Sequence, residues 1–300
     1  MIILVFDIAK LFSLIMSLVT TITSLIGIAN RQEWPQQIQD FNQKQSEAIV
    51  RVMSFNVRCT NVGKDSWEDR IGIVTETMVK SSADSIGVQE ATPEWMAVLD
   101  EKLTGYDWVG VGRDDGKNAG EYSAIFYLKD KYKLVDSGTF WLSETPDQVS
   151  LGWDAGCNRI CTWVVLENKV TGEKYVHLNS HFDHVGVKAR EESVKLILTK
   201  AEQYSDLPVV FTADMNVVEG SDNYAQMTSG CLNDTKYLTK DTMNYLTYHD
   251  TKPSKHDGDV IDYVMVNDNF EALSYKVVTA GIDNRYVSDH FPVYADVVIK

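Results

Sequence analysis

Carboxylate, amide and imidazole residues stand at or near the ends of six short hydrophobic runs in this 300-residue chain. Short β-branched and aromatic runs that are bounded by Gly, Asp, Asn or Pro are typical of strands. Polar residues at one strand end are ordinary, but residues of one chemical kind at six ends predict a single rim that holds a metal ion and a phosphate together. The polar residues of the six runs are Asn56, Glu90, His181, Asp183, His184, Asp214, Asn216, Asp262, Asp289 and His290.

Oxygen ligands dominate this set and indicate which metal it would bind. Glu90 ends a run that reads as a buried strand, where an ionised carboxylate is costly unless it is paired or binds a cation. Further oxygens come from Asn56, Asp214, Asn216 and Asp289. An all-oxygen set suits Mg²⁺, Mn²⁺ or Ca²⁺ rather than zinc.

Imidazoles supply the second kind of chemistry. His181 and His290 can give protons to, or take them from, a phosphoryl group near neutral pH. Asp262 and Glu121 are carboxylates that could orient these two imidazoles. Together the two kinds of residue predict phosphate-ester chemistry at the rim.

Structural roles are open alternatives for several of these residues. Asn56 could be a strand-end cap, Glu121 a solvated loop acid, and Arg159 the partner of a structural ion pair. The stretch from His181 to His184 could be read as a zinc triad. Adjacent residues of a strand face opposite sides, however, and this disfavours the zinc interpretation.

The bulk composition limits the class of substrate. The formal charge is −15, whereas proteins that bind nucleic acid usually carry an excess of basic residues. A long DNA duplex is therefore not the expected partner, while a small phosphate ester in a local cleft is compatible with this charge.

Domain organisation follows from the even composition of the chain. No composition break follows residue 50, so residues 51–300 are predicted to form one domain. We also expect a monomer. Cys157 and Cys161 could form a disulfide or be buried as small hydrophobic residues.

The N-terminus differs from the rest of the chain. Residues 11–29 carry no charge and follow Lys10, and Gly27-Ile28-Ala29 could form a small-residue cleavage site. We interpret residues 1–29 as a signal peptide or a retained membrane anchor, with a packed amphipathic helix as the third alternative. Residues 30–50 are polar and resemble a tether. This reading predicts an exported protein that contacts a membrane only through residues 11–29, if these are not cleaved.

Helical and strand patterns alternate along the domain. Helices are predicted over residues 70–80, from Thr92-Pro93 to Leu103, and over residues 187–204. A hairpin is predicted from residues 159–166 and 174–180. Alternating elements together with hairpins favour an α/β protein with mixed sheets.

The order of the motifs resembles the endonuclease/exonuclease/phosphatase superfamily, whose fold is that of deoxyribonuclease I. The matching motifs are Phe-Asn56-Val, Gln-Glu90, His181-x-Asp-His, Asp214-Met-Asn216, Ile-Asp262-Tyr and Ser-Asp289-His290-Phe-Pro. The segments from Gly110, Gly138 and Cys157 resemble a bacterial branch whose substrate these motifs do not define. The resemblance implies a four-layer α/β/β/α sandwich, in which two mixed sheets pack face to face and helices lie outside.

The resemblance also implies a role for each site residue. Glu90 would bind Mg²⁺ or Mn²⁺, with Asn56 and Asp289 beside it. Asp214 and Asn216 would place the attacking water and a phosphoryl oxygen. The remaining contacts to the scissile phosphate would come from His290 oriented by Asp262, His181 oriented by Glu121, and Arg159.

Two departures from the family pattern concern the substrate. Ala213-Asp214-Met215-Asn216 replaces the usual Gly-Asp-Phe-Asn, and Asp259-Val260 stands where an arginine often precedes Ile-Asp262-Tyr. We expect a metal-dependent phosphoesterase, foremost a phosphodiesterase that hydrolyses a small or single-stranded ester by in-line attack of water. The alternatives are a phosphomonoesterase for sugar or inositol phosphates and a non-catalytic cell-surface binding module with the same fold.

Overall fold

The computed structural model describes residues 46–59, 66–250, 258–279, 281–282 and 285–300. The expected signal peptide or anchor lies outside these residues, as does all of the expected tether except residues 46–50. Within the described residues, no helix is both long enough and apolar enough to cross a bilayer.

The first sheet has six strands in the order β11-β14-β1-β2-β4-β3. Its central pair, β1 and β2, is parallel, and Asn56 lies beside Gln89 at the end of both strands. Glu90, which follows Gln89, therefore emerges beside Asn56. The strands are β1 (Val50–Asn56), β2 (Ser85–Gln89), β3 (Tyr106–Val109), β4 (Ile125–Leu128), β11 (Phe270–Val277) and β14 (Val293–Ile299).

The second sheet also has six strands, in the order β5-β6-β7-β8-β10-β9. Its parallel pair, β7 and β8, places His181 directly beside Asp214, and antiparallel β10 places Asp262 on the other side of Asp214. The strands are β5 (Tyr132–Trp141), β6 (Ile160–Asn168), β7 (Lys174–His181), β8 (Val209–Asp214), β9 (Asn233–Asp234) and β10 (Asp262–Val266). A separate two-stranded sheet joins β12 (Gly281–Ile282) to β13 (Arg285–Tyr286).

The two large sheets pack face to face, and helices cover their outer faces. Apolar residues from both sheets, such as Val52, Val164 and Val264, form one core between them. A second core lies between the outer face of the second sheet and a helix that contributes Val194 and Ile197. The helices are α1 (Trp67–Ser81), α2 (Pro93–Lys102), α3 (Val187–Glu202), α4 (Asp222–Thr228) and α5 (Thr235–Leu238). The predicted four-layer α/β/β/α sandwich of mixed sheets is confirmed.

A polar network crosses the core directly below the predicted rim. Gln89 Nε2 donates to Asn179 Oδ1 at 2.7 Å, and Asn179 Nδ2 donates to the carbonyls of Val88 and Ala124 at 2.9 Å each. All of these groups are buried, so each hydrogen bond replaces one lost to water. Because Gln89 precedes Glu90 and Asn179 lies two residues before His181, the network fixes the two halves of the rim relative to each other.

Helix ends follow the capping rules on which the sequence prediction rests. Ser66 and Thr92 accept hydrogen bonds from the N–H groups of Asp69 and Trp95, and Pro93 occupies the first turn of α2. The predicted helices begin and end within three residues of the observed ones. All four cysteines are free, so Cys157 and Cys161 are not bridged. Cys161 is buried as the alternative interpretation predicts, whereas Cys157 is partly exposed.

Candidate active site

The row formed by His181, Asp214 and Asp262 places three polar side chains on one face of the second sheet. Residues directly opposite each other on neighbouring strands point to the same side of a sheet, and all three are buried. His290 closes the group from the turn before β14, because its Nδ1 lies 2.8 Å from Asp262 Oδ2. The sequence-predicted contact between Asp262 and His290 is therefore present.

Glu90 leaves the end of β2 in a left-handed backbone conformation with φ of 61°. Such a conformation is unfavourable for a residue with a side chain and is common at functional sites. Its carboxylate accepts hydrogen bonds from Asn56 Nδ2 and from the backbone N–H of Cys59, both at 2.9 Å. Burial raises the pKa of Glu90, but these hydrogen bonds outweigh that effect and hold the pKa below its ordinary value.

Asn56 connects the two sheets at the rim. Its Nδ2 donates to Glu90 Oε1 and also to Asp214 Oδ2, at 2.9 and 2.8 Å. Its Oδ1 accepts from the N–H of Arg58 at 2.9 Å. One amide thus lies between two carboxylates from opposite sheets, so Asn56 takes part in the site and does more than cap β1.

Asp214 and His290 form a buried acid–base pair. His290 Nε2 lies 3.7 Å from Asp214 Oδ2. Burial alone would lower the pKa of His290, but the carboxylates of Asp262 and Asp214 outweigh it and raise this pKa above its ordinary value. Burial raises the pKa of Asp214, with Asp262 acting in the same direction. The pair can therefore hold and transfer protons near neutral pH.

His181 differs from His290 in its partners. Its Nε2 accepts from Asn216 Nδ2 at 3.1 Å, and the same amide donates to the carbonyl of Phe182 at 3.0 Å. Burial, followed by the positive charges of Arg159 and Arg113, lowers the pKa of His181 well below its ordinary value. His181 is therefore neutral in this environment, whereas His290 favours the charged form.

The expected contact between Glu121 and His181 is absent, and this part of the sequence prediction is wrong. Glu121 forms a two-point ion pair with Arg113, whose Nη1 and Nη2 lie 2.6 and 3.0 Å from its carboxylate oxygens. A planar guanidinium matches a carboxylate at two points and so competes effectively with an imidazole. His181 Nδ1 is buried without a hydrogen-bond partner among the described residues.

Two nitrogens of the Arg159 guanidinium have protein partners, and the third has none among the described residues. Its Nε lies 3.3 Å from Asp183 Oδ2, and its Nη2 lies 2.9 Å from His184 Nδ1. Its Nη1 is buried and has no hydrogen-bond partner among the described residues. The ion pair that the sequence left as an alternative is therefore present, and Arg159 also lines the cleft.

A cleft of about 350 Å³ lies over these groups. All the predicted site residues line it except two, Asn56 and Asp262, which lie behind Glu90, Asp214 and His290. The sequence named three further lining residues in other roles: His184 in the zinc alternative, Cys157 as a disulfide candidate and Ile261 within a family motif. The remaining lining residues are Cys59, Arg113 and Tyr248.

The donor set at the rim is suited to a divalent cation. Ligand atoms of Glu90, His181 and Asp214 lie within 4.8 Å of one another. No lysine or arginine among the described residues forms an ion pair with Glu90, although its carboxylate is held in the ionised form. Asp289, the third expected ligand, lines the same cleft and lies 3.6 Å from Arg58 Nε. A cation would offset this concentration of negative charge.

Comparison with known proteins identifies the family. A model of the Endonuclease/Exonuclease/phosphatase family matches residues 53–290. The chain belongs to this family. Its members are metal-dependent hydrolases of phosphate esters, so the protein is a phosphoesterase, and the alternative of a non-catalytic binding module loses its support.

Bacterial structures resemble the chain over most of its length. A family protein from Bacteroides vulgatus is 38% identical, with a TM-score of 0.80, over 84% of this chain and 99% of that protein. The mannosyl-6-phosphatase of Bacteroides thetaiotaomicron VPI-5482 is 36% identical, with a TM-score of 0.79, over 83% of this chain and 100% of that protein.

A curated eukaryotic relative is more distant. The CCR4-NOT transcription complex subunit 6-like-A of Xenopus laevis is 24% identical over 204 residues, which are 56% of this chain and 36% of that protein. The chain therefore spans only about a third of the length of this relative. The match supports membership of the family and says nothing further about substrate.

Proposed function

We propose that the protein is a Mg²⁺- or Mn²⁺-dependent phosphatase that removes the phosphate from a small polar monoester, such as a sugar phosphate. The observation that carries the proposal is the cleft, which is small and has a wall formed by Arg113, Arg159 and His184. The guanidinium groups of Arg113 and Arg159 place positive charge beside His181, which suits the additional negative charge of a monoester. This is the alternative that the sequence left open beside a phosphodiesterase.

Similarity to a full-length sugar phosphatase supports the same choice. The mannosyl-6-phosphatase shares 36% of its residues with this chain and is covered along its whole length. The net charge of −15 also favours a small substrate over a long polyanion. A phosphodiesterase for a small or single-stranded ester is the second candidate, because the same catalytic residues serve both reactions.

The metal would be held by Glu90, with Asn56 and Asp289 beside it. When bound, it would polarise a phosphoryl oxygen and offset the charge that develops there. Asp214 has a raised pKa and is anchored by Asn56 Nδ2 and by the backbone N–H of Asn216, so it is suited to take a proton from the attacking water.

The protonated His290 would donate a hydrogen bond to the phosphoryl group from Nε2, since Nδ1 is held by Asp262 at 2.8 Å. Arg159 Nη1 would contact a second phosphoryl oxygen. Charge-assisted hydrogen bonds of this kind are about twice as strong as neutral ones. Preorganised donors around the transferred group usually account for much of the rate enhancement.

The test is a comparison of three substrates with the purified protein in Mg²⁺ and in Mn²⁺. We expect mannose 6-phosphate and p-nitrophenyl phosphate to be hydrolysed with at least about tenfold higher kcat/KM than bis-p-nitrophenyl phosphate, which corresponds to roughly 1.4 kcal/mol of transition-state discrimination. A preference for the diester would instead establish the second candidate. Activity that survives exhaustive chelation would contradict both.

A further inference from the structure

His184 is a residue of the cleft wall that the proposed chemistry does not use. It is exposed and lies beyond the end of β7, three residues after the buried His181. Arg159 lies between the two histidines, because it borders the small gap next to His181 and also contacts His184. His184 therefore lies on the solvent side of the Arg159 guanidinium, which would contact the phosphate.

The contact with Arg159 fixes the proton on the His184 ring. A guanidinium nitrogen can only donate, so Arg159 Nη2 donates to His184 Nδ1 across 2.9 Å. In a neutral imidazole whose Nδ1 accepts, the proton is on Nε2. The free edge of the ring is therefore a hydrogen-bond donor without a formal charge.

A buried carboxylate anchors this arrangement from behind. Asp183 Oδ1 accepts from the N–H groups of Gly156, Val185 and Gly186 at 3.1, 2.9 and 2.7 Å. Burial would raise the pKa of Asp183, but these hydrogen bonds outweigh it and keep the group ionised. Its Oδ2 then holds Arg159 Nε, so the guanidinium is oriented before any substrate arrives.

The neighbouring loop is fixed against helix α3. Gly186 is the N-cap residue and has no side chain to cap the helix, and Asp154 Oδ1 accepts from the N–H of Ala189 at 2.7 Å instead. A Cβ at Gly186 would lie 2.6 Å from that same oxygen, so the close approach requires glycine. These contacts hold the loop at residues 183–186 and the first turn of α3 in place beside His184.

A metal ion is not the ligand that the cleft wall favours. Ligand atoms of Cys157, Asp183 and His184 lie within 4.8 Å of one another. However, Arg159 already occupies the position of a cation, because it donates to both Asp183 and His184. The remaining group of the ring is the Nε2 donor, which is available to a hydrogen-bond acceptor in the cleft.

We infer that His184 forms the leaving-group subsite and donates a hydrogen bond from Nε2 to a hydroxyl oxygen of a polyhydroxylated alcohol. This inference rests on the proposed phosphatase function. Arg159 separates the phosphate from this subsite, so the oxygen that reaches His184 Nε2 belongs to the alcohol and not to the phosphate. His184 is thus a specificity-determining residue, while the phosphoryl chemistry remains with Glu90, Asp214, His290 and Arg159.

The experiment compares His184→Ala and His184→Asn with the wild type on mannose 6-phosphate and on p-nitrophenyl phosphate, whose leaving group has no hydroxyl beyond the ester oxygen. Asparagine keeps an oxygen near Nδ1 for Arg159 but lacks the distal donor. We expect both variants to lose about tenfold in kcat/KM on the sugar phosphate, as one net hydrogen bond contributes, and to remain within about twofold on p-nitrophenyl phosphate. Val185→Ala, an exposed neighbour outside the cleft lining, is the matched control and should change neither value.

Equal losses on both substrates, or no loss on either, would overturn the inference. A ¹⁵N NMR spectrum of the substrate-free protein provides an independent measurement, because the Nε2–H form of His184 gives a distinct ring pattern, and the Nδ1–H form would also overturn the inference. Failure of the proposed function is separate, since it appears in the wild type as hydrolysis of diesters only. In that case, the p-nitrophenyl diester of mannose 6-phosphate and bis-p-nitrophenyl phosphate form the corresponding substrate pair for His184.

Discussion

Glu90 combines a strained backbone with a carboxylate that has hydrogen bonds but no basic partner among the described residues. We therefore predict that Glu90→Gln lowers turnover by at least about a hundredfold and weakens Mn²⁺ binding by more than about tenfold, because the amide cannot supply the negative charge. Calorimetric titration with Mn²⁺ and steady-state kinetics measure the two effects. Glu101→Gln, an exposed acid on α2, is the control, and equal Mn²⁺ affinity in both variants would remove Glu90 from the metal site.

Asp262 contacts His290, and we infer that it acts through this histidine and not through the metal. Its carboxylate lies 2.8 Å from Nδ1 and fixes the orientation in which Nε2 faces Asp214. We predict that Asp262→Ala and His290→Ala each lower kcat by about a hundredfold, while Mn²⁺ affinity in the titration stays within about threefold of the wild type. The exposed Asp241→Ala serves as the control. A double variant that loses no more than either single one would show that the two residues act as a unit.

The order of the motifs predicted which residues form the site, but it did not predict every hydrogen-bond partner within the site. Asp262 and His290 meet as predicted, because each is fixed by the strand register or by the turn next to it. Glu121 was expected to contact His181, but Arg113 contacts it instead. Arg113 belongs to a loop whose course has no periodic signal, so its pairing with Glu121 could not be read from the sequence.

Glycine positions show how closely the two sheets approach each other. A Cβ at Gly87 on β2 would collide with the Thr212 hydroxyl and the Asn179 amide, whereas a Cβ at Gly72 on α1 would meet nothing within 4 Å. We predict that Gly87→Ala destabilises the fold by about 2 kcal/mol or more, since overpacking and disrupted buried hydrogen bonds act together. Gly72→Ala should stabilise it by about 0.5–1 kcal/mol.

Urea denaturation measures the free energy of unfolding of both variants against the wild type. Both variants replace glycine by alanine, so the difference between their free energies of unfolding reports on the surroundings of each glycine. Equal changes in the two variants would contradict the close approach of the sheets at Gly87. Gly87→Ala should also lower activity, because the polar network that it disturbs joins Glu90 to His181 through Gln89 and Asn179.

Element boundaries could be predicted wherever a local rule applies. Thr92 and Pro93 predict the start of α2, and this start is observed, whereas α1 begins at Trp67, three residues before its predicted start. The sequence predicts two separate strands at residues 133–136 and 139–142, yet one strand, β5, runs from Tyr132 to Trp141 with a register shift between Leu134 and Asp136. A shift of this kind depends on the neighbouring strand β6 and is therefore not visible in one run of sequence.

The whole molecule joins two halves, each of which brings part of the site. The first sheet supplies Asn56 and Glu90, and the second supplies His181, Asp214 and Asp262. The alternation of elements predicted mixed sheets, and the resemblance to the family implied the sandwich, but the polar network between the two halves depends on tertiary packing alone. Export and the interpretation of residues 1–29 remain proposals, since those residues lie outside the described part of the chain.

The net negative charge of the protein predicts that it does not bind duplex DNA. The net charge is −15, and arginines at the cleft are matched by carboxylates: Arg58 with Asp289, Arg113 with Glu121, and Arg159 with Asp183. Duplex binding requires several phosphates to be neutralised at once. We therefore expect a dissociation constant weaker than about 100 µM at physiological salt, at the weak end of non-specific binding.

Fluorescence anisotropy with a labelled duplex and metal-free Glu90→Gln protein measures this affinity without cleavage of the probe. A parallel titration at low salt is the control, because weak electrostatic binding would appear there and disappear at physiological salt. Submicromolar affinity that falls steeply with added salt would show that a basic surface forms outside the cleft. The small-substrate proposal would then have to be abandoned in favour of a nuclease, even if the arrangement around Glu90 and His290 were correct.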